Sequence, residues 1–372
     1  MTRSTLRTFA AAAAIVCCGA LCVQQSLGGG FFARQRSVGG VAVDAEGVVF
    51  APTVEDQQEL DLLRAKTTPA VPEAMEELTE MRAVSLKQLE AAIAKSRESG
   101  QPLPEEVKFV AGLLRVQYVF VYPERHDIVI AGPAEGWKID ALGNAVGLTT
   151  NRPVILLDDL MVALRSGVAS RMEPISCSID PTPEGLQRLQ QVTSRMRTIG
   201  DPTQTMSRIE EALGPQVISV TGVPGDCHFS RVMVAADFRM KRIAMDFEAA
   251  PVDGLPSFLS MMSGRGSVQQ MMPRWWLAPK YDPLAKSADG LAWELRGPGV
   301  QCMTEQDFVD ASGQKTDTRP ASPVAQKWAS MLTDKFSELA DHDSSFGSLR
   351  NIIDLAVVGA LIEKEQLREQ AG

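Results

Sequence analysis

Apolar and polar positions change period several times along the chain. Phe9 to Val23 (FAAAAAIVCCGALCV) carries no charge, and Gln24 and Gln25 end the run. VGGVAVDAEGVVF then predicts two short strands about Asp44-Ala45-Glu46-Gly47, where Asp first and Gly fourth suit a type I turn. Helical spacing follows over 54–66, 73–82 and 86–98. The last of these has Ser85 as N-cap with Gln88 three residues on, and Gly100 and Pro102 close it.

Beyond Gly100 the period drops to two. Val116–Tyr122 and Ile128–Ala131 read as strands about the turn Pro123–Asp127. Trp137–Asp140 and Ala145–Thr149 read as a hairpin whose turn, Asp140-Ala141-Leu142-Gly143, echoes residues 44–47. A helix near 157–165 leads to a strand at 175–179. Thr182-Pro183-Glu184 opens a helix to about Arg197, and Asp201-Pro202 opens another that ends at Gly214. Gln216–Thr221 reads as a strand. In the helix expected over 230–246, Val232, Ala236, Met240, Ile243 and Phe247 share one face. Trp275–Leu277 and Leu291–Leu295 read as strands, and polar Asp310–Pro323 as a linker.

Two helices are expected at the end. Val324, Trp328, Met331, Leu332 and Leu339 form a stripe on the first, and the second, near 346–366, is apolar on nearly all sides from Leu355 to Ile362. The fold class is α+β, or α/β given the strand–helix alternation: a mixed sheet core with a helical N-terminal segment and a C-terminal helical hairpin. The expected divisions are a signal peptide (1–28), an N-terminal hairpin and helical segment (29–105), a core domain (106–310), a linker (311–323) and a C-terminal helical pair packed on the core (324–372).

The first run carries an address. Arg3 and Arg7 precede it, and Ser26 and Gly28 are small, as a secretory signal cleaved after Gly28 requires. An apolar run this short falls below the ~20 residues of a spanning helix. Retention as an anchor is the alternative. The expected location is periplasmic or extracellular, with no stable transmembrane segment after cleavage, since the apolar stretch Ile352–Ile362 is short and contains Asp354. Losing Arg3 and Arg7 takes the formal charge from −9 to −11, which argues against nucleic acid as a partner. The mature chain keeps Cys177, Cys227 and Cys302, so at most one intrachain disulfide can form. Cys177 and Cys302 alternate with apolar neighbours and read as buried, reduced strand residues.

Ala131–Arg165 (AGPAEGWKIDALGNAVGLTTNRPVILLDDLMVALR), Val220–Met245 (VTGVPGDCHFSRVMVAADFRMKRIAM) and Phe346–Ile362 (FGSLRNIIDLAVVGALI) resemble an uncharacterised family of exported proteins common in planctomycete bacteria. That resemblance, to a domain of unknown function, implies an address and a shared fold, and brings no catalytic or binding residues.

Dinucleotide and phosphate-loop motifs, the Gly-x-Ser-x-Gly elbow and zinc-ligand spacing are all missing. Neither a cofactor nor a metal is expected. Candidate chemistry concentrates in Gly222-Val-Pro-Gly-Asp-Cys-His-Phe-Ser-Arg231, which joins a strand to a helix. There Ser230 can cap the helix, whose free N–H groups favour an anion or thiolate at Cys227, with His228 beside it and Asp226 as an orienting acid. Arg231, Arg239, Lys241 and Arg242 make the helix locally basic, with Asp237–Lys241 as an i,i+4 pair. Trp275 and Trp276 lie in a strand and so point to opposite faces, one toward the core and one free to stack on a sugar or a partner side chain. His126 reads as exposed in a turn, and His342 as a helix-end residue between Asp341 and Asp343. The binding candidates are therefore Asp226, Cys227, His228, Ser230, Arg231, Trp275 and Trp276, with no residue assigned to catalysis. The reading is an exported, non-enzymatic protein that binds an envelope protein or polysaccharide. A hydrolase or thiol enzyme centred on Cys227 and His228 is the alternative, and a purely structural envelope component is the third.

Overall fold

Strand β1 (Ala42–Val43) pairs antiparallel with β2 (Val49–Phe50), the hairpin expected on either side of the Asp-Ala-Glu-Gly turn. In the computed structural model the described residues are 42–43, 49–50, 71–168, 175–195, 202–262, 273–309 and 315–372. The helix expected over 54–66 lies outside them. The helix expected over 73–82 is replaced by one 3-10 turn, Glu73–Met75, and strand β3 (Thr79–Ser85). Good helix formers yield here to tertiary pairing, which buries Val84 and lets Arg82 donate to the carbonyls of Ala111 (2.6 Å) and Met75 (3.2 Å).

Helix α1 (Leu86–Ser99) starts as the capping box predicts, with the Ser85 hydroxyl accepting from the Gln88 amide at 3.0 Å, and it ends at Gly100 with φ 66°. A short α2 (Glu105–Lys108) leads to the hairpin of β4 (Tyr118–Tyr122) and β5 (Asp127–Ala134). Strands β6 (Trp137–Ile139) and β7 (Ala145–Gly147) flank the predicted turn, where the Asp140 carboxylate accepts from the amides of Leu142 and Asn144, each at 2.8 Å. Beside them Glu135 is fully buried and accepts from the amides and hydroxyls of Thr149 and Thr150. Burial works to raise its carboxyl, and these donors more than offset that, holding it below the ordinary value.

Helix α3 (Leu157–Ser166) precedes β8 (Ser176–Pro181). Next come α4 (Pro183–Arg195), α5 (Pro202–Leu213) and β9 (Gln216–Thr221). One crossover helix would make β9 parallel to β8; two reverse the chain again, and the strands pair antiparallel from Ser176↔Thr221 to Pro181↔Gln216. Then follow α6 (His228–Ala244), α7 (Phe258–Met262), β10 (Pro273–Lys280), β11 (Ala285–Lys286), β12 (Ala292–Glu294), β13 (Gly299–Val309) and β14 (Lys315–Pro320). Residues 315–320, expected as linker, pair with β13 instead. Polarity misled there because only one side of that strand meets the sheet.

The sheets run β11-β12-β4-β5-β3 and β10-β13-β14, beside the two-stranded pairs. Every named pairing among the described residues is antiparallel, so the fold is α+β; the mixed sheet and the α/β variant are not found there.

The expected C-terminal hairpin is instead α8 (Pro323–Asp334), α9 (Phe336–His342), α10 (Ser344–Lys364) and a short α11 (Leu367–Ala371). The single stripe from Val324 to Leu339 is broken at Lys335, a bend that turns Phe336 and Leu339 fully into the core. Helix α10 is the centre of the molecule and packs against α3, α6, α9 and β13. By length and composition it could cross a membrane, yet most of it is buried within the protein. Phe346, Ile352, Leu355 and Val358 are enclosed, and a Cβ on Gly359 would stand 2.5 Å from the Ala163 carbonyl, so α3 and α10 touch backbone to backbone.

Midway along α10 lies Asp354, with no exposed surface. Its carboxylate accepts from the Arg115 guanidinium at 2.9 and 3.4 Å and from the Tyr281 hydroxyl at 2.5 Å. Arg115 also donates to the Gly297 carbonyl. Burial works to lower Arg115, and Asp354 overcomes it, so the guanidinium stays charged. Breaking a buried pair strands one charge, at about 3–5 kcal/mol. Arg115→Met is therefore expected to lower unfolding free energy in urea by that amount, and Arg115→Met with Asp354→Leu to recover most of it. Equal losses in the single and double variants would contradict this account of the cluster.

Candidate functional site

Strand β9 ends at Thr221, and Gly222, at φ 80°, turns the chain out of the sheet. The loop closes at Cys227, the N-cap of α6, so the helix begins two residues earlier than expected. Ser230 is not the cap. It is buried in the first turn, where its hydroxyl lies 2.8 Å from the carbonyls of both Gly225 and Cys227 and shares its one proton between them.

The two candidate reactive groups turn apart. Cys227 Sγ donates to the Pro224 carbonyl at 3.0 Å and lies 3.8 Å from Ser230 Oγ. His228 Nδ1 meets Asp159 Oδ2 at 2.8 Å. Asp159 is 4% exposed, and its other oxygen, Oδ1, has no hydrogen-bond partner. Asp226 is exposed, so the acid on the imidazole is Asp159 and not Asp226. Nothing local in the sequence could pair residues so far apart; Asp158-Asp159 in the first turn of α3 reads simply as a complement to the helix dipole.

The helix's basic cluster is largely neutralised. Arg239 pairs with Asp343 at 2.9 Å and with Glu248, which also holds Arg242, and Lys241 reaches Asp237 at 2.7 Å as the i,i+4 spacing predicts. Arg231 is exposed, with its guanidinium 3.5 Å from the Asp226 carbonyl. This loop and helix fall within a recognised segment. A family model described as a protein of unknown function (DUF1598) matches residues 177–258. The DUF1598 segment runs from β8 through α6 to Phe258, so it holds Asp226, Cys227, His228, Ser230 and Arg231, and excludes Trp275 and Trp276. No curated protein and no solved structure matches the chain.

The two tryptophans divide as alternation requires. Trp275 is 5% exposed and packs edge-on against Phe258 and Trp328, with ring centroids 5.0 and 5.3 Å away. It is a core residue. Trp276 is half-buried on the opposite face, with Arg274 5.8 Å from its ring and Met303, 39% exposed, opposite it in register.

Cys177, Cys227 and Cys302 are all free thiols. Burial, then Asp237, pushes the Cys177 thiol up to about 12, and the same two causes raise Cys302. His126 is exposed, as expected, with its Nδ1 3.0 Å from the Ala371 carbonyl. His342 is exposed at the end of α9. An open cleft of about 580 Å3 lies between β13 and α8 and includes none of the seven candidate residues.

Cys227 is partly buried, with its Sγ packed against the Pro224 carbonyl and Ser230, and this limits the approach of a reagent. Iodoacetamide is expected to modify Cys227 in the folded protein at neutral pH at least about ten-fold more slowly than in urea. Cys227→Ser should shift stability by under about 1 kcal/mol, one neutral hydrogen bond being exchanged for another. Fast labelling at neutral pH that is lost in His228→Ala would show the opposite arrangement.

Proposed function

We propose that this is an exported protein that works by binding, with an envelope protein or polysaccharide as partner, and not by catalysis. The observation that carries this reading is the separation of the only paired reactive groups in the loop. The Cys227 thiol is turned to Pro224 and Ser230, while the imidazole of His228 is turned to Asp159. Nucleophilic catalysis needs the nucleophile on the base. Contact chemistry is available elsewhere: Arg231 and Asp226 are exposed at the loop, and Trp276 with Met303 offers an apolar strip on the outer face of β10 and β13. An indole there can stack on a sugar ring or a partner's side chain. Export is supported by Arg3, Arg7 and the uncharged run Phe9–Val23, and by the resemblance to exported planctomycete proteins.

The thiol-enzyme reading keeps one observation in its favour, the 2.8 Å contact of His228 with a buried carboxylate, which is how a catalytic imidazole is oriented. It requires Cys227 to swing from Pro224 to the free edge of that ring.

Sequencing the protein from its native host should place the N-terminus close to Gly29. The mature chain should co-sediment with isolated envelopes, and Trp276→Ala should cut the bound fraction severalfold at unchanged melting temperature. Full-length protein in the cytoplasm would contradict export, and equal sedimentation of the variant would remove Trp276 from the contact.

A further inference from the structure

Pairing along β13 is uneven. It pairs with β10 from Gly299 to Gln306, but with β14 only from Glu305 to Val309. Pro320, opposite Glu305, ends β14, and it has no N–H to continue a ladder. Two residues later the Ser322 hydroxyl caps α8 by accepting from the Ala325 amide, with Pro323 in the first turn. The chain thus leaves the edge of β13 abruptly. From Gln301 to Glu305 the side of β13 away from β10 faces α8 across the cleft.

The cleft's shape and lining narrow what can occupy it. Lys280 stands opposite Gly299, six residues from Glu305, so the lining runs roughly 20 Å along the strand. That is the length of a short extended peptide. The helix side is built from small residues, Ala321, Ala329 and Ser330, while Met303 supplies an apolar surface on the strand side. A full added strand is excluded, because the Cys302 amide already donates to the Thr333 hydroxyl at 2.9 Å. An occupant is held instead by side chains, among them the Gln326 amide, whose nitrogen also donates to the Ala321 carbonyl at 2.8 Å. Two carboxylates, Glu305 and Asp334, outnumber one lysine in the lining, and neither makes an ion pair with a described residue.

We propose that this cleft binds an extended peptide segment of a partner protein, with a lysine or arginine of that segment against Glu305 and its aliphatic stem on Met303. The proposal rests on the binding reading and adds the site and the partner's chemistry. Its features are those of peptide recognition beside a strand edge, where an acidic residue selects a basic side chain.

The test uses the full chain and blocked hexapeptide sub-libraries, each with one central residue fixed, read by fluorescence anisotropy. Lysine- and arginine-centred sub-libraries should bind at least ten-fold more tightly than the glutamate-centred one. Glu305→Gln should erase most of that preference, and Ser330→Trp, at an exposed position, should block binding, both at the parental melting temperature. Uniform or acid-preferring binding would overturn the proposal, as would peptide binding untouched by Ser330→Trp. Competition by spermidine as strong as by the best peptide would reveal a simple cation site and overturn the peptide occupant. Co-sedimentation with envelopes through Trp276 reads the broader binding claim separately, so the two can fail independently.

Discussion

The ion pair between Arg115 and Asp354, with Tyr281 as its third member, is the constraint from which much of this architecture follows. Arg115 enters the five-stranded sheet, Tyr281 leaves β10 of the three-stranded sheet, and Asp354 sits in the middle of α10. One buried carboxylate thus ties both sheets to one helix. Burial holds that carboxyl above its ordinary value even though the Arg115 guanidinium pulls it down, and it raises the Tyr281 hydroxyl well above its own. A charge in so apolar a helix costs stability unless it is met, and meeting it sets the rotation and depth at which α10 can dock. The close approach at Gly359 and Ala163 then follows from that docking.

With α10 fixed, the surface features fall into place. Asp343 caps α10 through the amides of Ser345 and Phe346 and also takes Arg239 of α6, so the helix that carries the DUF1598 loop is anchored at the start of α10. The N-terminus of α6 meets α3 through His228 and Asp159. Held at both ends, α6 presents Asp226 and Arg231 outward while its cysteine is turned to its own loop. On the far side, Pro320 and Pro323 move the chain from strand to helix within a few residues, and that abrupt change opens the cleft beside β13.

Local signals in the sequence translated well into structure where the chemistry is local. The Ser85–Gln88 capping box, the prolines opening α4 and α5, and the Asp140 turn all depend on neighbours within a few residues, and each element stands where its punctuation puts it. Alternation separated Trp275 from Trp276 for the same reason. What depends on distant partners was not readable. Residues 79–85 became a strand because β5 was there to pair with, and Lys315–Pro320 because β13 was. The alternation of strands and helices left an α/β fold open, because strand direction depends on partners: β8 and β9 pair antiparallel across the two helices between them. Asp159 carried no mark of its role, and the pairing of each basic residue on α6 needed acids from elsewhere in the fold.

Central to this account is that α10 is the interior of a folded protein, pinned at Asp354, despite being long and apolar enough to span a membrane. Native-state hydrogen exchange tests this directly. Amides from Leu349 to Leu361 should exchange only through global unfolding, with an exchange free energy equal to that measured in urea and falling in step with it in Arg115→Met. Exchange of those amides at a much lower free energy, while β4 and β5 stay protected, would show a detachable helix and contradict the account.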